Sequence, residues 1–139
     1  MKGLGIYGLQ QWKRGGREMS VQISTELGKI EIDTEVIATF AGAVAMECYG
    51  LVGMSSRRTM KDGIADILRR ENLSRGVEVR DENNQTVIDL YIIVSYGTRI
   101  SEVAHSVQER VKYALDKTLG LTVDEVNIYV QGVRGEMSS

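Results

Sequence analysis

The chain has 139 residues with a formal net charge of −2, and 42% of it is hydrophobic and 26% charged. That is the size and composition of one globular domain, long enough to bury a core without a disulfide or metal staple. Its single cysteine, Cys48, excludes an internal disulfide framework and fits a reducing compartment, and its single histidine, His105, leaves little material for a zinc site or a histidine relay. Composition therefore weighs against an enzyme.

Residues 1–18 differ from the rest. They carry Lys2, Lys13, Arg14 and Arg17 against Glu18, a net of +3 that leaves −5 for the remainder, and they hold the only Trp. No helical or alternating period can be counted there. The basic residues Lys13 and Arg14 follow the apolar Ile6-Tyr7-Gly8-Leu9 stretch instead of preceding it, which is not the order of a secretory signal. The segment reads as a leader, either disordered or the product of a misassigned start with Met19 as the natural first residue; a basic arm for an acidic partner is the other reading. Residues 19–139 form a single domain.

From Met19 the pattern alternates between strand and helix. Lys29-Ile30-Glu31-Ile32 is a short strand, and Asp33 stands at a helix N-cap with Glu35 in the first turn. Val36, Ile37, Phe40, Ala41, Val44 and Cys48 follow at helical spacing, and Gly50 is placed to end that helix. Gly42 inside it costs about 1 kcal/mol relative to Ala, which points to close packing of another backbone. Leu51–Met54 is a short strand or an extended turn. Residues 63–71 suit a short amphipathic helix, and residues 76–80 a strand. Thr86–Tyr96 is the strongest strand, with Ile88, Leu90, Ile92 and Val94 on one face and Asp89, Tyr91, Ile93 and Ser95 on the other. Thr98 or Ser101 caps the longest helix, whose stripe of Val103, Val107, Val111, Ala114, Leu115 and Leu119 stops at Gly120; Val126, Ile128 and Val130 mark a closing strand. The order β-α-β-β-α-β predicts an α+β two-layer sandwich with two long helices packed on one face of a mixed sheet.

Motifs that carry chemistry are scarce. There is no phosphate loop, nucleophile elbow or C-x-x-C pair, and Gly3-x-Gly5-x-x-Gly8 has no strand before it or helix after it. Cys48 lies on an apolar stripe and reads as a buried thiol; His105, Glu102, Glu109 and Asp116 read as a solvated helix face. No catalytic, cofactor or metal residue is assigned. Two surfaces remain. The mixed Asp89, Tyr91, Ile93 strand face suits a protein partner, so Tyr91→Asp or Ile93→Asp should weaken self-association and leave the fold intact. The basic Arg57, Arg58, Lys61 loop, with Ser55, Ser56 and Thr59, suits phosphate or RNA. The acidic balance and the lack of aromatics in that loop weigh against nucleic acid.

Three segments carry a family resemblance. IATFAGAVAMECYGLVGMSSR (Ile37–Arg57), KDGIADILRRENLSRGVEV (Lys61–Val79) and YGTRISEVAHSVQERVKYALDKTLGLTVDEVNIYVQGV (Tyr96–Val133) resemble, in this order and spacing, the alkaline shock protein family. The likeness spans about Val21 to Val133 and spares the leader; Tyr49-Gly50-Leu51 departs slightly from the family turn. The resemblance implies a small bacterial cytoplasmic protein with no established enzymatic activity, no cofactor and no catalytic residues to carry over. Members are linked to alkaline or cell-envelope stress. Some reach the membrane through an anchor protein without inserting themselves. Others are encoded beside a dihydroxyacetone-kinase-like protein, a fatty acid kinase subunit. The expectation is a self-associating scaffold or adaptor in envelope homeostasis, with a phosphate- or RNA-binding module as the alternative.

Overall fold

The computed structural model describes the backbone of residues 5–14, 18–56, 70–82 and 85–135, and the side chains of 20–56, 73–80 and 85–135. In chain order the elements are β1 (Gly5–Arg14), β2 (Glu18–Thr25), β3 (Gly28–Asp33), α1 (Thr34–Met46), β4 (Leu51–Met54), a 3-10 helix (Arg70–Gly76), β5 (Val77–Glu82), β6 (Gln85–Ser95), α2 (Ile100–Ala114), a π-helical turn (Leu115–Leu119) and β7 (Glu125–Arg134).

β6 organises the larger sheet. β5 lies antiparallel along its first half and β4 along its second half on the same edge, while β7 runs parallel to it along the other edge. The sheet is therefore mixed, and α1 and α2 pack their inner residues into one core with Ile88, Leu90, Ile92 and Val94, as the sequence pattern predicts. Those four side chains are completely buried, each contributing about 1.5–3 kcal/mol relative to an exposed position. The strand at Leu51–Met54 is a real sheet member, pairing Leu51 with Val94 and Met54 with Ile92.

Helix ends follow local chemistry. Asp33 caps α1, its carboxylate accepting from the Glu35 N–H at 2.9 Å. The inner face of α1 is built from small residues, and a Cβ at Gly42 would come within 3.1 Å of Leu73 Cβ, so the backbone of the 3-10 helix is indeed the close neighbour. α1 ends at Met46, earlier than the expected stop at Gly50, which instead turns the chain into β4. α2 is capped by neither Thr98 nor Ser101: its N-cap is Arg99, with no side-chain bond, because the Thr98 hydroxyl donates to the Ser95 carbonyl at 2.7 Å. The helix stops at Gly120 as expected.

The N-terminal part holds more structure than the residue pattern shows. β1, β2 and β3 form a separate antiparallel sheet in chain order, and β1 passes close to β5 and β6. The sequence reading has no element before Lys29 and so lacks both β1 and β2; for β1 a backbone ladder needs no particular side-chain period. β2 delivers Val21 and Ile23 to the core against α1. The short helix expected over 63–71 falls largely outside the described residues.

Gly50 and Gly97 both have φ near +90°, yet a Cβ at Gly50 would lie 2.6 Å from Val103 Cγ2, whereas a Cβ at Gly97 would meet nothing within 4 Å. Backbone strain alone should cost Gly97→Ala about 1 kcal/mol. Strain plus the clash should cost Gly50→Ala about 3 kcal/mol. Urea unfolding of both variants measures the gap, and equal midpoints would contradict it.

Candidate functional site

The second face of β6 is largely closed. Asp89 is 3% exposed and Ile93 not exposed at all; Tyr91 alone of the expected partner residues is half-buried. Val87 and Ile93 are buried outside the main core cluster, so β6 is covered on both faces. A strand flanked on both edges and covered on both faces presents little to a partner, and the reachable part of this face shifts to β7.

Asp89 is the polar centre of that face. Arg80 on β5 donates Nε to Asp89 Oδ2 at 2.7 Å and Nη2 to Oδ1 at 3.1 Å, and Asn127 on β7 donates Nδ2 to Oδ1 at 3.0 Å. One carboxylate thus ties three adjacent strands together, in a forked geometry that suits a guanidinium. Losing Arg80 would leave the buried Asp89 carboxylate with its charge less well met, which is why such a pair fixes register more than it adds stability. Beside it the Tyr91 and Tyr129 rings stack with centroids 4.9 Å apart and planes 16° from parallel. At the start of β7, Asp124 accepts from the Thr86 N–H at 2.7 Å and returns its own N–H to the Thr86 carbonyl at 2.9 Å. The partners of Asp89 were not foreseen from the sequence; the signal for one of them is Asn127 opposite Asp89 in two alternating strands.

Among the described residues the remaining candidates form no catalytic constellation. Arg57, Arg58 and Lys61 lie outside the described residues. On α2, His105 pairs with Glu109 at 3.3 Å and Arg99 with Glu102 at 3.4 Å, all about 70% exposed or more, as ordinary surface pairs that contribute little. Arg110 reaches Glu47 at 3.5 Å and links the two helices. No group of His, Cys, Asp and Glu among the described residues is placed to hold a metal ion. Among the described residues no helix is long and apolar enough to cross a membrane.

Among the exposed apolar surfaces of the described residues, two lie on regular elements next to the core. The outer side of α1 carries Val36, half exposed, with Thr39, Phe40 and Ala43 along one shallow groove beside Glu35. The outer strand β7 exposes Tyr129, Val130 and Val133 by 43%, 37% and 44%, and no described strand pairs with its far edge.

Cys48 is 5% exposed, its Sγ 3.8 Å from the Val44 carbonyl. Burial pushes the thiol up, opposed by the Arg110 guanidinium and assisted by the Glu47 carboxylate. A thiol whose proton is held more tightly in the folded than in the unfolded chain stabilises the fold fully below the ordinary thiol range. That contribution is lost as pH rises through the folded value. Above about pH 8.5 the urea midpoint of the wild type should therefore fall more steeply than that of Cys48→Ala, and parallel curves would contradict this.

Comparison with known proteins agrees with the sequence resemblance. The model of the alkaline shock protein 23 family, described by a cell envelope-related function, matches residues 22–135. The chain is 61% identical over 116 residues to "Uncharacterized protein YloU" of Bacillus subtilis (strain 168), covering 84% of this chain and 97% of that one. It is 46% identical over 116 residues to "Uncharacterized protein Spy1614" of Streptococcus pyogenes serotype M6, covering 84% and 96%. It is 36% identical over 110 residues to "Uncharacterized protein YqhY" of Bacillus subtilis, covering 79% and 80%. No solved structure gives a significant match. Neither the family description nor these titles carry an enzymatic activity. On the match over residues 22–135 and these identities, the chain belongs to the alkaline shock protein 23 family, whose function is related to the cell envelope.

Proposed function

We propose that the chain is a non-enzymatic scaffold or adaptor of bacterial cell-envelope stress or homeostasis, acting through protein–protein contacts, self-association among them. The observation that carries this reading is the outer side of α1. A helix lying on a globular domain normally turns charge to solvent, yet beside Glu35 the outer side of α1 presents Val36, Thr39 and Ala43, with Phe40 half-buried against the core at the base of a mainly apolar groove. An apolar helix face of this kind receives a partner helix or loop. The partner classes that fit the family are a membrane anchor protein, which would bring a cytoplasmic chain to the membrane without a span of its own, and a dihydroxyacetone-kinase-like, fatty acid kinase protein.

Copurification from the native cells at endogenous level, with and without nuclease, tests this. The expected result is recovery of the anchor or the kinase-like protein whether or not nuclease is present, reduced at least tenfold by Val36→Asp while the circular dichroism spectrum is unchanged. Partners that vanish with nuclease, with RNA recovered alongside, would overturn it in favour of the Arg57, Arg58, Lys61 loop as a phosphate or RNA contact.

A further inference from the structure

The outer edge of β7 has a backbone pattern that can be read residue by residue. On β6 the Tyr91 carbonyl accepts from the Ser55 N–H at 3.0 Å, on the β4 side, so alternate residues of β6 serve β7. With Tyr91 opposite Tyr129, the β7 residues that bond to β6 are Glu125, Asn127 and Tyr129, and the backbone groups of Val126, Ile128 and Val130 point outward. Gln108 Nε2 donates to the Val126 carbonyl at 2.8 Å from α2, as an outward carbonyl requires. A bulge follows: Ile92 pairs with Val130 but Ile93 with Gly132, leaving Gln131 as the extra residue. Beyond it the Arg134 carbonyl accepts from the Tyr96 N–H at 2.7 Å, so Val133 takes over the outward role. The outward backbone positions are thus Val126, Ile128, Val130 and Val133, and these side chains share the face on which α1 and α2 pack.

We infer that β7 pairs antiparallel with β7 of a second copy about a two-fold axis at Tyr129, joining two sheets into one. The self-association part of the proposed function is what this deepens. Of the registers that keep every pair on one face, the one centred on Tyr129 pairs β7 over its whole length and sets opposite charges together at both ends. It sets Ile128 opposite the second copy's Val130, Asn127 opposite Gly132, Val126 opposite Val133 and Glu125 opposite Arg134, with Gln131 as the extra residue on both strands. Every pair then joins residues on the same face, as a continuous sheet demands. The hydrogen-bonded pairs are Ile128 with Val130 and Val126 with Val133, which are the outward backbone positions, although Gln108 already occupies the Val126 carbonyl. The exposed Val130 and Val133 thereby meet the second copy's Ile128 and Val126, apolar against apolar, and opposite charges meet at each end. The two Tyr129 rings face each other in a non-hydrogen-bonded pair, where side chains approach most closely. Each is already stacked on its own Tyr91. Self-complementarity of sequence, face and charge about one axis favours a second copy over an unrelated strand.

The register gives a direct test. Directly opposed residues of a non-hydrogen-bonded pair have Cα atoms about 4.5 Å apart, within the range a disulfide spans. Full-length Tyr129→Cys should therefore form a covalent dimer under mild oxidation. Val133→Cys, whose opposite residue is Val126, should cross-link at least tenfold less, and the wild type, with Cys48 buried, should not cross-link. Sedimentation velocity of the wild type should show a concentration-dependent dimer, weakened at least tenfold by Glu125→Arg and restored by combining it with Arg134→Glu. A wild type that is monomeric at every concentration overturns the inference, as does a dimer in which Val133→Cys cross-links as readily as Tyr129→Cys. Either result leaves the partner capture by α1, read separately by copurification, untouched.

Discussion

The constraint on which the rest depends is the double burial of β6. Its Ile88, Leu90, Ile92 and Val94 side accepts both helices, while its Val87 and Ile93 are also closed off from water. A strand covered on both faces and paired along both edges has no freedom of register, because a one-residue slip would exchange an apolar stripe for Asp89. The charge of Asp89 is tolerated there because Arg80 and Asn127 hold it from the two neighbouring strands. The carboxylate therefore works as a register pin across β5, β6 and β7, the best-supported use of a buried charge.

Placing β6 in the middle decides what is left for function. Among the solvent-facing apolar surfaces of the described residues are the outer side of α1 and the outer edge of β7, on elements that the core does not consume on every side. These are helix and strand surfaces of the kind that dock other chains. The family to which the chain belongs is tied to the cell envelope by description.

Much of this was legible from residues. Asp33, the Val103, Val107, Val111 stripe and the alternation from Thr86 to Tyr96 each report a local cause, a cap or a period, and each was read correctly. What was missed has a non-local cause. The second face of β6 mixes Asp89, Tyr91 and Ile93, and composition alone could not tell a partner-facing mixture from a buried carboxylate with partners 9 and 38 residues away in sequence. The Thr98 cap failed because the same hydroxyl had a nearer acceptor in Ser95. β2 has its signal in the Val21-Gln22-Ile23-Ser24 alternation, whereas β1 is carried by backbone pairing that leaves no such trace. The bulge at Gln131 has no sequence signal, since only its pairing with β6 sets it apart.

The most direct measurement compares urea unfolding of Ile93→Asp with that of Tyr129→Asp, followed by circular dichroism. If β6 is the doubly buried centre, a carboxylate at Ile93 has no solvent and no partner, and the variant should lose about 4 kcal/mol or fail to fold. Tyr129→Asp, at the exposed strand, should stay folded. An Ile93→Asp protein with wild-type stability would contradict the account and return that face to the surface.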